Sequence, residues 1–124
     1  MKSLSVLMVA YNAENTIVES IESVLKQSFH DFQFIIINDG STDSTQAKIC
    51  SYNDKRIRLI NTEHNHLQSL NSGIKASKGK YIARHNADEI MHIDRLKLQY
   101  SIMEEFPKIT VCSCWEYVFG DKKE

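Results

Sequence analysis

Apolar residues along this chain gather in short runs, separated by amphipathic stretches and closed by polar punctuation. Leu4–Ala10 is one such run, ending at Tyr11-Asn12, and Phe32–Ile37 is another, ending at Asn38-Asp39-Gly40. Runs that are apolar on both faces predict buried parallel strands. Between them Ile17, Ile21, Val24 and Leu25 fall on one helical stripe, which predicts a complete strand–helix–strand unit. A second helix is predicted over Asp43–Tyr52, and a short third strand over Arg56–Asn61, whose brevity suits a sheet edge. Leu67, Leu70 and Ile74 predict a third helix, stopped by Ser77-Lys78-Gly79, with Gly79 suited to a left-handed cap. Tyr81–Arg84 is the fourth predicted strand. Asp94–Glu105 is a fourth helix with Leu96, Tyr100 and Met103 on one stripe, closed by Pro107, and Ile109–Phe119 reads as a long C-terminal strand.

Strands alternating with helices predict an α/β fold in three layers, α/β/α, with right-handed crossovers over a mainly parallel sheet. Ligands of such sheets bind beyond the carboxyl ends of the strands. The polar punctuation falls at those ends: Tyr11-Asn12, Asn38 to Ser41, and Arg84 to Glu89. With 124 residues and no linker, repeat or low-complexity segment, residues 1–124 read as one domain.

Charge and cysteine content narrow the partners. A formal net charge of -1 and the absence of a Lys/Arg run leave no footprint for nucleic acid. No signal-peptide layout follows Met1, so a cytoplasmic location is the expectation. Cys50, Cys112 and Cys114 are an odd set, read as reduced and partly buried thiols, and Cys112 with Cys114 lacks the second pair that a structural zinc site needs.

Two acidic positions stand at strand ends. Asp39, before Gly40-Ser41-Thr42-Asp43, serves either as part of a turn and helix cap or as an acceptor for a base N–H. Asp88 and Glu89 either start the following helix or supply hard oxygen ligands to Mg²⁺ or Mn²⁺ beside a diphosphate. Arg84 is read equally as a counter-charge to phosphate or as the partner of a surface acid. His64, His66, His85 and His92 match no strong zinc spacing and are read as solvated or packed imidazoles.

Taken together, Val9-Ala10-Tyr11-Asn12, Ile35 to Asp43, Leu70-Asn71-Ser72-Gly73-Ile74, Gly79 to Arg84, Ala87-Asp88 and Asp94-Arg95-Leu96 closely resemble the family 2 glycosyltransferases of GT-A fold, in order and in spacing. The resemblance implies a Rossmann-like sheet of order about 3-2-1-4 plus a C-terminal strand. It implies a nucleotide-diphospho-sugar donor, most often a UDP-sugar, with Ala10, Tyr11 and Asn12 near base and ribose and Asp39 holding the base. Arg84 and Ala87 would lie near the nucleotide, and Asp88 would bind Mg²⁺ or Mn²⁺. Inverting transfer to a saccharide or lipid-linked acceptor hydroxyl is the implied reaction, within polysaccharide biosynthesis.

Asn86 and Glu89 stand at positions where aspartate is common in that family. The resemblance places the catalytic base and acceptor-binding elements in a C-terminal half beyond this sequence, so no catalytic base is nominated. The alternative reading is a truncated, inactive nucleotide-binding or oligomerisation module. In that reading the apolar residues of 109–119 make a homodimer contact, and peripheral attachment to a membrane is a further partner expectation. A phosphatase-like domain with Asp39 as nucleophile lacks the partner acid and phosphate clamp it requires.

Overall fold

The computed structural model describes residues 2–119. Four parallel strands, β1 (Leu4–Ala10), β2 (Phe32–Asp39), β3 (Ile57–Thr62) and β4 (Tyr81–Arg84), form one sheet in the order β3-β2-β1-β4. The helices are α1 (Ile17–Leu25), α2 (Thr45–Cys50), α3 (His66–Ala76) and α4 (Arg95–Glu105). β3 is an edge strand, as its length predicts. No helix among the described residues is long and apolar enough to cross a membrane.

Strand alternation sorts the core into two layers. Leu4, Val6 and Met8 of β1 and Phe32, Phe34 and Ile36 of β2 pack with Ile17, Ile21 and Val24 of α1, Ile49 of α2 and Leu96 of α4. Leu7, Ile35 and Ile37 face the opposite side, against Leu70 and Ala76 of α3. The chain therefore changes face after β3, where it crosses from one edge of the sheet to the other. That reversal opens the carboxyl-end crevice between β1 and its neighbours.

Four expectations change. α3 buries Ser69 and Gly73, while Leu67 and Ile74 stay exposed, because small side chains let the helix approach Leu7 and Ile37 closely; a Cβ on Gly73 would lie 2.3 Å from Leu7 Cδ1. Its C-cap is Ser77 in extended conformation, and Gly79 has no positive φ. The C-terminal strand is not formed: residues 109–119 have no regular structure, and Trp115 is 99% exposed. Alternating apolar residues make a strand only when an edge accepts their backbone hydrogen bonds, and β4 pairs solely with β1. Cys50 and Cys114 are exposed thiols and Cys112 is half-buried.

Candidate functional site

The register that pairs Ala10 with Asn38 sets Tyr11 beside the end of β2, where Asp39 is 1% exposed. Asp39 Oδ1 accepts hydrogen bonds from the Ser69 hydroxyl at 2.6 Å and the Asn65 N–H at 2.9 Å. Oδ2 lies 3.1 Å from His64 Nδ1. Burial pushes the Asp39 pKa up, but the bonds from Ser69 and Asn65 and the neighbouring His64 outweigh it, so the carboxyl lies below its ordinary range. Asp39 thus anchors the first turn of α3, whose N-cap, Asn65, accepts from the Gln68 N–H.

The β1–α1 loop is tied to the segment after β2 rather than left free. Asn12, at φ 46, accepts from the Thr42 N–H at 2.8 Å, and its own N–H donates to the Ser41 hydroxyl. Asparagine tolerates that left-handed backbone better than most residues. The Ala13 N–H donates to Thr45 Oγ1, and Glu14 accepts from the N–H and hydroxyl of Ser44. Ser41 and Thr42 therefore position the loop carrying Tyr11, and the helix that follows begins only at Thr45.

The acidic loop after β4 is held by polar residues of α1. Ser20 Oγ donates to the Asn86 carbonyl at 2.9 Å, and Ser23 Oγ accepts from the Met91 N–H. Gln27, fully buried just beyond α1, donates to the His92 carbonyl at 2.7 Å and accepts from the Leu96 N–H. Ala87 is buried in the core, which turns Asp88 outward to solvent. Asn86 Nδ2 donates to Glu89 Oε1 at 2.7 Å, so Glu89 is engaged within its own loop.

His85 is buried; its Nε2–H donates to the Glu89 carbonyl at 3.0 Å. Burial, then the nearby Arg95 guanidinium, pushes its pKa down to about 4, so it is neutral near pH 7. Arg95 also donates to the Arg84 carbonyl. The Arg84 side chain is exposed and lines a groove of about 430 Å³ between β4, α4 and residues 110–116, which takes in neither Tyr11 nor Asp39.

Among the described residues no three His, Cys, Asp or Glu side chains converge as a metal cage. One exposed aspartate, Asp88, suits a hard cation whose remaining ligands are phosphate oxygens and water. The fold thus brings Ala10, Tyr11, Asn12 and Asp39 together, with Arg84, Ala87 and Asp88 one strand away on the same rim. Ser69, His64, Ser20, Ser23 and Gln27 are contributors that the sequence pattern did not single out. Polar residues on helices read as solvated positions.

A parallel α/β sheet with polar loops gathered at its carboxyl rim defines the class: a Rossmann-like ligand-binding domain. The chain belongs to the glycosyl transferase family 2, whose model matches residues 5–124. It is similar to an uncharacterised glycosyltransferase of Haemophilus influenzae, 36% identical over 97% of this chain and 38% of that protein. It is also similar to the Escherichia coli UDP-Glc:alpha-D-GlcNAc-diphosphoundecaprenol beta-1,3-glucosyltransferase WfgD, 35% identical over 81% of this chain and 40% of that protein. Among solved structures, Staphylococcus aureus TarS in complex with UDP superposes with a TM-score of 0.77 at 27% identity, covering 85% of this chain and 32% of TarS. The same holds for TarS in complex with UDP-GlcNAc. The chain spans less than half the length of each of these relatives.

Proposed function

We propose that this chain forms the donor-binding part of a glycosyltransferase that takes a UDP-sugar and a divalent cation and serves inverting transfer to an acceptor hydroxyl. The observation that carries the reading is the buried Asp39 carboxylate beside the exposed ring of Tyr11. A pyrimidine with a ring N–H could lie on Tyr11 and donate to Asp39, an acceptor-only group kept ionised by its hydrogen bonds. Ala10 and Asn12 border the ribose in this reading, and Arg84 offsets diphosphate charge. The UDP and UDP-GlcNAc complexes of TarS support uracil as the base.

Asp88 would hold Mg²⁺ or Mn²⁺, positioned by the buried Ala87 and the Ser20-bound loop. The cation would neutralise charge on the departing nucleoside diphosphate. A lipid-linked saccharide is the proposed acceptor class, in line with the named acceptor of the Escherichia coli relative. Calorimetry with UDP, other nucleoside diphosphates and Mn²⁺ tests the reading: UDP should give saturable heat that increases with Mn²⁺. Absence of heat with every nucleotide would sink it.

A further inference from the structure

His64 makes two contacts at once. Its ring stacks on Tyr11 with centroids 3.8 Å apart and planes inclined by 22°, and its Nδ1 lies 3.1 Å from Asp39 Oδ2. A carboxylate only accepts, so the proton sits on Nδ1 and donates to Asp39. A planar heterocycle on Tyr11 with a ring N–H aimed at Asp39 is also the arrangement proposed above for the base. At 3.8 Å the two rings are in contact, and no third ring fits between them.

The backbone beneath this ring is fixed. The Asn65 N–H is bound to Asp39, and Gly40, at φ +70, packs so closely that a Cβ there would lie 2.8 Å from the His64 amide nitrogen. The side chain itself is 56% exposed, free on its outer side. Rotation about its side-chain torsions, with the loop held still, is therefore the available way out.

We infer that His64 is an internal occupant of the base slot, whose ring a nucleotide displaces on binding; this rests on the nucleotide reading of Tyr11 and Asp39. The free protein binds UDP with an affinity reduced by the fraction of molecules in which the ring is seated. His64 thereby sets donor affinity and keeps the Tyr11 face covered between donors.

UDP calorimetry on the wild type and on His64→Ala, paired with proton NMR of the histidine rings, tests this. His64→Ala keeps the backbone contacts with Asp39 and Gly40 and should lower the Kd for UDP about fivefold, the scale of one aromatic contact. In the wild type, the His64 ring protons should be shifted upfield by Tyr11 and return toward free-histidine positions when UDP saturates the protein. Unchanged or weaker binding by His64→Ala, or His64 signals indifferent to UDP, would overturn the inference while leaving nucleotide binding intact. Absence of UDP heat from both proteins would instead refute the nucleotide reading, and the inference with it.

Discussion

The Ser69 hydroxyl donates to Asp39 Oδ1 at 2.6 Å, joining the first turn of α3 to the end of β2 across 30 residues of chain. One carboxylate therefore builds this part of the rim. Ser69→Ala removes a buried bond to a charged acceptor and should destabilise the fold by about 1.5–3 kcal/mol. Urea denaturation should show a lower midpoint with an unchanged slope; equal midpoints would mean the contact contributes nothing.

Asp39→Ala should also destabilise, because it orphans the Asn65 N–H and leaves the Ser69 hydroxyl with Thr62 Oγ1 as its remaining partner. It differs from Ser69→Ala in binding. Asp39→Ala should abolish UDP heat with or without Mn²⁺, at a temperature where both variants remain folded. Equal affinities in the two variants would remove Asp39 from the base site.

Asp88 is exposed, so Asp88→Ala should move stability by no more than about 0.5 kcal/mol. Its expected effect is confined to the cation: the added affinity for UDP in Mn²⁺ disappears, and metal-free binding persists. A Mn²⁺ titration of both proteins at fixed UDP checks this, and an undiminished Mn²⁺ response would place the ligand elsewhere.

His85 carries a pH dependence whose sign follows from its depressed pKa. The unfolded chain takes up this proton near pH 6.5 and the folded one only near about 4, so folded stability is complete above pH 6.5 and falls as the pH drops toward 4. The loss is on the order of 3 kcal/mol. Melting curves from pH 7 to pH 4.5 should fall more steeply for the wild type than for His85→Gln; parallel curves would show that the buried imidazole does not resist protonation.

Gln27→Leu keeps the side-chain volume roughly constant but unpairs the Leu96 N–H and leaves the His92 carbonyl with the Arg95 N–H alone. A destabilisation of about 1–3 kcal/mol is expected. Hydrogen exchange should speed up at Leu96 before it does in β1 and β2. Unchanged exchange at Leu96 would mean that water replaces the amide without penalty.

Strand and helix order, the parallel sheet and the position of the rim were legible in the chain because each depends on hydrophobic periodicity over a few neighbouring residues. The same logic misplaced the buried face of α3, since Leu67 and Ile74 look like core residues until the sheet selects Ser69 and Gly73 for close approach. It also made a strand of 109–119, a segment that pairs with neither β4 nor any other strand of the sheet. Tyr11, Asn12 and Asp39 stood out as the polar residues that end apolar runs. His64, Ser69 and Gln27 did not, because nothing local distinguishes them from solvated side chains.

The sequence by itself determined the alternating α/β architecture, the family it belongs to and the carboxyl-end loops that bear the polar groups. Only the tertiary structure decided that Asp39 is held by α3, that α1 supports the acidic loop and that His64 lies on Tyr11. Periodicity is a property of neighbours along the chain. Hydrogen-bond and stacking partners are chosen by backbone approach across the sheet, which the close packing of small residues such as Gly40 and Gly73 sets.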